Sequence, residues 1–131
     1  MHKFTGSCIC GAIRYQVVGD VKSIVNCHCN MCRKMNGSAF STYVAVSDDD
    51  FELLIGRPKS HKVSERSEKN FCEECGTPIF NSNPKYAGLK ILHLGSIDDS
   101  FDNEPKANIY CESQISWLDR MPKISRLPQG F

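Results

Sequence analysis

The chain has 131 residues, 40% of them hydrophobic, and a formal net charge of +1. That length fits one domain spanning residues 1–131 with a modest core. A charge so close to zero gives no electrostatic drive toward nucleic acid or an anionic membrane surface, and no apolar run approaches the roughly 20 residues that cross a bilayer. The opening segment, Met1-His2-Lys3-Phe4-Thr5, lacks the apolar stretch of a secretory signal. The expected compartment is therefore the reducing cytoplasm, where disulfides are rare.

In chain order, residues 12–18 alternate, with Ile13, Tyr15 and Val17 set against Ala12, Arg14 and Gln16. Period two predicts a strand. A helix of one or two turns is expected over Asn30 to Met35, with Gly37 just past its end. Residues 39–46 predict a second strand, with Phe40, Thr42, Val44 and Val46 on one face. Phe51 to Ile55 is a short apolar run stopped by Gly56-Arg57-Pro58. Further short strands are expected over 60–64, at Ile79-Phe80, over Leu89 to Leu94 and over Ala107 to Cys111. Turn formers separate them: Gly19-Asp20, Ser47-Asp48-Asp49-Asp50, Asn81-Ser82-Asn83-Pro84 and Asp98-Asp99-Ser100. The predicted class is mainly β, built of short antiparallel strands stapled by metal, with little helix.

The staple is read from the cysteines. Seven of the eight fall into three clusters: Cys8 and Cys10; Cys27, Cys29 and Cys32; Cys72 and Cys75. An even count admits a disulfide framework, but the spacings suit chelation better. Cys72-Glu73-Glu74-Cys75-Gly76 is a knuckle: two intervening residues let both thiolates face one ion, and Gly76 tolerates the positive φ that follows. Cys8-Ile9-Cys10-Gly11 supplies two more sulfurs from one face of an extended segment. Together they predict a closed four-cysteine structural zinc. Cys27, Cys29 and Cys32 predict a second zinc held by three protein ligands, the count of catalytic rather than structural sites. Cys111 and the histidines compete for its fourth place, and exchange of cysteines between the two sites stays open. Apart from that, Cys111 reads as a buried packing thiol.

An all-thiolate zinc with a free position favours a soft ligand, and a substrate thiol is the natural one. Zinc would hold it as thiolate at neutral pH. Arg33 and Lys34, next to Cys32, are placed to help an anionic substrate, and His28 is a candidate proton shuttle.

The order Gly6-Ser7-Cys8-Ile9-Cys10-Gly11, then Cys27-His28-Cys29-Asn30-Met31-Cys32-Arg33-Lys34 with Gly37, then Phe71-Cys72-Glu73-Glu74-Cys75-Gly76-Thr77-Pro78 resembles the GFA family, the glutathione-dependent formaldehyde-activating enzymes and their CENP-V/GFA-domain relatives. Gly95-Ser96-Ile97-Asp98-Asp99, Ile109-Tyr110 and Trp117 extend the likeness. The chain departs from the family at Asn108, where a histidine is common, and at Lys69-Asn70-Phe71, where an arginine is usual. The resemblance implies a β-tent of coiled antiparallel sheets. It also implies two zinc ions per chain, a structural one on Cys8, Cys10, Cys72 and Cys75 and a catalytic one on Cys27, Cys29 and Cys32. The implied activity is that of a carbon–sulfur lyase, in which a small-molecule thiol such as glutathione adds to a small aldehyde such as formaldehyde. Two other classes of function fit the same residues: a zinc-stabilised binding module, and a redox or zinc sensor whose cysteines release metal on oxidation.

Overall fold

The computed structural model describes residues 3–99 and 101–131. Met1 and His2 of the opening segment, and Ser100 of the expected Asp98-Asp99-Ser100 turn, lie outside the described residues. The chain forms β1 (Lys3–Ser7), β2 (Arg14–Val18), β3 (Ser23–Cys27), α1 (Asn30–Asn36), β4 (Ser41–Ser47), β5 (Phe51–Ile55), β6 (Lys59–Lys62), β7 (Glu68–Phe71), β8 (Pro78–Ser82), β9 (Leu89–His93) and β10 (Ala107–Ile109), with short 3-10 turns between and after them. The strands assemble into a three-stranded sheet, β1-β2-β5, and a seven-stranded sheet, β10-β3-β4-β9-β8-β7-β6. All pairings are antiparallel except β10 on β3, which is parallel. This is the mainly β tent of short coiled sheets. No helix among the described residues is long and apolar enough to cross a membrane.

The expected strands over 12–18, 39–46, 60–64, 79–80, 89–94 and 107–111 all appear, with shifted ends, and the apolar run Phe51–Ile55 is a strand over its whole length. The helix runs one residue further than expected, and Gly37 ends it in the left-handed region at φ 64°. Three strands were not anticipated: β1, β3 and β7.

Period two places the two faces of the large sheet against different partners. Ile24, Val44, Val46, Phe80 and Leu92 point one way and pack with Phe4, Tyr15 and Val17 of the small sheet. That is the core between the sheets. The alternate residues, Val25, Tyr43 and Ile91, belong to the other face, where Cys27 and Cys32 form a second buried cluster with Tyr43.

The small sheet positions the first cysteine pair. A Cβ on Gly6 would meet the Tyr15 ring at 2.1 Å, so glycine is what lets β1 close over that side chain. The fully buried Tyr15 hydroxyl shares a 2.7 Å hydrogen bond with Ser96 Oγ. Asp98 accepts from Ser7 Oγ at 2.7 Å, and Asp99 accepts from the Thr5 amide at 2.8 Å. The Gly95-to-Asp99 stretch is thus a strap that fixes β1, and with it the entry of Cys8.

Candidate metal centres

The sulfurs of Cys8, Cys10, Cys72 and Cys75 all lie within 4.8 Å of one another. Cys8 Sγ is 3.6 Å from Cys10 Sγ, and Cys10 Sγ is 3.7 Å from Cys72 Sγ. Zinc bound at about 2.3 Å from each sulfur gives a tetrahedron with edges of about 3.8 Å. The spacing therefore suits a shared ion and far exceeds a disulfide bond of about 2.05 Å. All eight cysteines are unbridged. Two turns build the site. Gly11 and Gly76, each following the second cysteine of its pair, both sit at φ 81°, where a side chain would be strained. Cys72 N donates to Thr77 O at 2.9 Å, and Gly76 N donates to Cys72 O at 2.7 Å. Donors already face the sulfurs. The Ile13 amide reaches Cys8 Sγ at 3.2 Å, and Thr77 Oγ1 lies 3.2 Å from Cys75 Sγ and holds it down at about 5. At Cys8 burial alone would raise the thiol, but the Ile13 amide and the neighbouring thiols outweigh it and the net shift is downward. Cys10 runs the other way, to about 12: the Ala12 amide lowers it, but the crowded thiols raise it more. Four thiols sharing so little space cannot all ionise without a cation between them.

Cys27, Cys29 and Cys32 form a separate group, also within 4.8 Å of one another. Cys27 ends β3, and Cys29 caps α1, its sulfur accepting from the Cys32 amide at 3.3 Å. Cys32 lies in the first turn and is buried. Burial pushes the Cys27 and Cys32 thiols up. At Cys29 burial also acts upward, but the thiol and amide of Cys32 overcome it and bring it below its ordinary value. Three soft donors at this spacing fit a zinc ion.

One residue of this group was missed from the sequence. Tyr43 Oη donates to Cys32 Sγ at 3.0 Å, and burial together with Cys32 raises its own pKa. The available signal was an aromatic hydroxyl inside the strand read over 39–46, since a buried tyrosine needs a partner. Ser41 Oγ adds a 3.1 Å bond to Cys32 O. Tyr43→Phe keeps the ring and removes the donor, so it is expected to weaken metal binding at this site about 10- to 100-fold while the other site is unchanged. Competition with a chromophoric chelator would measure it.

The three cysteines open onto a cavity of about 500 Å³. Its floor is the outer face of the large sheet, with Val25, Tyr43, Ala45, Leu89 and Ile91 in adjacent strands and Ile109 at the β10 edge. Met31 and Met35 of α1 close one side. Tyr110 stands at the margin in the left-handed region, at φ 57°, the one non-glycine there among the described residues. Such a conformation costs about 1–3 kcal/mol and concentrates at functional sites.

Other sequence expectations are corrected. Cys111 is exposed, not a packing thiol; its sulfur donates to Asn108 O at 3.4 Å, and it belongs to neither sulfur group. His28 is 3% exposed, so it is no solvent-facing shuttle. Its ring packs on Phe40 with centroids 5.1 Å apart, and Nε2 lies 3.0 Å from Asn108 Oδ1. Asn108 thus orients the residue between two of the cysteines. His61 is exposed on β6, and His93 is buried, 2.8 Å from Asn81 Oδ1 through Nε2. Arg33 turns back to Asn30 Oδ1 and Lys34 is exposed, and neither lines the cavity. Lys69 Nζ instead reaches Met35 O at 2.6 Å, tying β7 to the end of α1.

The family described as glutathione-dependent formaldehyde-activating enzyme (GFA) matches residues 3–113. A protein of Halomonas elongata, described as a putative glutathione-dependent formaldehyde-activating enzyme, is 25% identical over 125 residues, covering 87% of this chain and 78% of that protein. A protein of Pyrenophora teres f. teres with the same description is 29% identical over 115 residues, and the match covers 82% of this chain but only 60% of the relative. A protein of Schizosaccharomyces pombe described as an uncharacterized lyase is 28% identical over 85 residues, covering 61% of this chain and 58% of that protein. A crystal structure of a Rhodobacter sphaeroides protein superposes with a TM-score of 0.62 at 14% identity, covering 79% of this chain and 98% of that chain. At that identity the likeness speaks to the fold.

Proposed function

The chain belongs to the family of glutathione-dependent formaldehyde-activating enzymes, and from that membership we propose that it joins a small-molecule thiol to a small aldehyde, and reverses that joining, at the three-cysteine group. The observation that carries the reading is the contrast between the two sulfur groups: four donors gathered in one, three donors facing a cavity in the other. In this reading Cys8, Cys10, Cys72 and Cys75 hold a structural zinc, and Cys27, Cys29 and Cys32 hold a second. A zinc ion on those three thiolates would supply a soft Lewis acid that favours the thiolate form of a bound thiol.

The reaction balances without a redox partner. A sulfur–carbon bond forms, the aldehyde C=O becomes C–OH, and the thiol proton ends on that oxygen. The chain's own residues set the conditions. The Tyr43 hydroxyl donates to Cys32 Sγ and draws off some of its charge. Val25, Ile91 and Ile109 keep water from the sulfurs and hold the thiol's substituent. The short helix, capped by Cys29 and tied through Lys69 to β7, fixes Cys29 and Cys32 relative to Cys27.

The family and the relatives' descriptions make glutathione and formaldehyde the reference pair. Exchange NMR of the hydroxymethyl adduct measures the rate above the spontaneous reaction. The zinc-loaded chain is expected to accelerate exchange, and a chelator that strips the weaker metal is expected to return it to background. A rate unaffected by protein for every thiol tried would overturn the enzyme reading in favour of a zinc-stabilised binding module.

A further inference from the structure

The cavity beside Cys27, Cys29 and Cys32 says more about the thiol than the cysteines do. Among the described residues that line it there is no lysine, arginine, histidine, aspartate or glutamate. Its wall is Val25, Met31, Met35, Leu89, Ile91 and Ile109, with Tyr43 and Tyr86 supplying rings. The polar groups are hydroxyls and amides, such as Ser23, Ser67 and Asn81, which cannot neutralise a carboxylate.

Two of the cations nearby, Lys69 and Lys90, are engaged. Lys69 shares that sheet face through its pairing with Asn81, but its ammonium is bonded to Met35 O, and burial lowers its pKa. The adjoining polar cleft meets the cavity at Ser82, Asn83, Tyr86 and Leu89. It carries Lys62, Arg66 and Lys90, but also Asp48, Glu65 and Glu68. Lys90 is paired with Asp48 at 3.6 Å and lies over the Phe80 ring at 4.5 Å. Cations matched one for one by carboxylates offer no net attraction to an anion.

Glutathione brings two carboxylates and one ammonium. Placing its sulfur on the three-cysteine group would press charged ends against this apolar wall or against a cleft of balanced charge. Each buried charge left unpaired is strongly unfavourable. An alkyl or arylalkyl thiol has no such cost and gains from burial of its carbon chain. A volume of about 500 Å³ is ample for it, and lies in the ordinary range of small-molecule sites, about 300–1,000 Å³.

We propose that the thiol taken by this site is an uncharged, apolar one, of the alkyl or arylalkyl class, in preference to a carboxylate-bearing peptide thiol. The proposal rests on the reading of the three-cysteine group as the thiol-binding site.

The test is calorimetric titration of the reduced, zinc-loaded full chain with benzyl mercaptan and with glutathione under the same conditions. Benzyl mercaptan is expected to bind at least about tenfold more tightly, the effect of leaving one polar group unpaired in an apolar wall. Equal or tighter binding of glutathione overturns the proposal and leaves the thiol reading standing. Binding of neither thiol at millimolar concentration overturns the thiol reading and this proposal with it. A second arm uses Leu89→Lys, at the half-buried start of β9, with circular dichroism to confirm the fold. It is expected to narrow or reverse the preference by adding one cation to the wall, and an unchanged ratio in a folded variant counts against the proposal.

Discussion

Replacing Cys72 with serine is expected to cost the fold its largest single constraint. Cys72 is 1% exposed and sits where the core between the sheets meets the four-sulfur group. Cys10 and Cys72 lie 62 positions apart in the chain, yet their sulfurs are 3.7 Å apart. A cross-link closing a loop of that length removes about 4 kcal/mol of freedom from the unfolded chain in the loop-entropy treatment. That is comparable to much of the total stability of a small domain, about 5–15 kcal/mol. Serine is a hard, weakly bound ligand, so the remaining three sulfurs would hold zinc far less tightly. The expected result is a fall in Tm of roughly 15 °C or more, or loss of a cooperative transition. Differential scanning calorimetry with excess zinc measures it. The wild type stripped by a strong chelator should approach the same unfolding profile, because the metal and the ligand are two ends of one linkage. A Cys72→Ser variant with the wild-type Tm would remove the structural role of the four-cysteine group. Cys111→Ser is the internal control, since Cys111 is exposed and outside both groups.

How far the sequence led depends on how local each feature is. The cysteine clusters were legible because ligand spacing is a property of a few consecutive residues: Cys72-x-x-Cys75-Gly76 carries its own turn, and Gly76 at φ 81° does what the spacing asked of it. Strands with one wet face were legible too. In β2, Tyr15 and Val17 are fully buried while Arg14 and Val18 are exposed, so the alternation survives in the sequence. β3 was missed because both its faces are covered: Ile24 packs in the core, and Val25 and Cys27 belong to the cavity side. Ser23-Ile24-Val25-Asn26-Cys27 therefore shows no clean period two. β7 was missed for the opposite reason, since Glu68-Lys69-Asn70-Phe71 is mostly polar and owes its strand to its neighbours β6 and β8. The parallel pairing of β10 on β3 joins residues about 80 positions apart, and nothing local encodes it. The same holds for His28. Its neighbours in sequence suggested an exposed base, but Phe40 and Asn108 enclose it. The cavity itself could not be read in advance, because it is lined by the alternate residues of strands whose other face forms the core.

Cys29→Ser is the substitution expected to separate chemistry from stability. Cys29 does two jobs at once. Its sulfur belongs to the three-cysteine group, and it caps α1 by accepting from the Cys32 amide. Serine is a preferred cap, so the helix start should lose little, whereas alanine would cost about 1 kcal/mol there. What serine does not keep is a soft thiolate ligand. The group would fall to two sulfurs, Cys27 and Cys32, both buried and both raised by that burial, and therefore poor at holding zinc alone. The variant is expected to carry one zinc per chain against two expected for the wild type, by plasma emission spectroscopy on the reduced protein. Its Tm should stay within a few degrees of the wild type. Thiol binding should disappear from the calorimetric titration, and adduct exchange should fall to the rate without protein. The pattern matters more than any one value. If zinc content drops but accelerated exchange persists, the three-cysteine group is not where the thiol reacts. If both zinc ions remain, the two sulfur groups do not act as independent sites, and the assignment of one to stability and the other to chemistry fails.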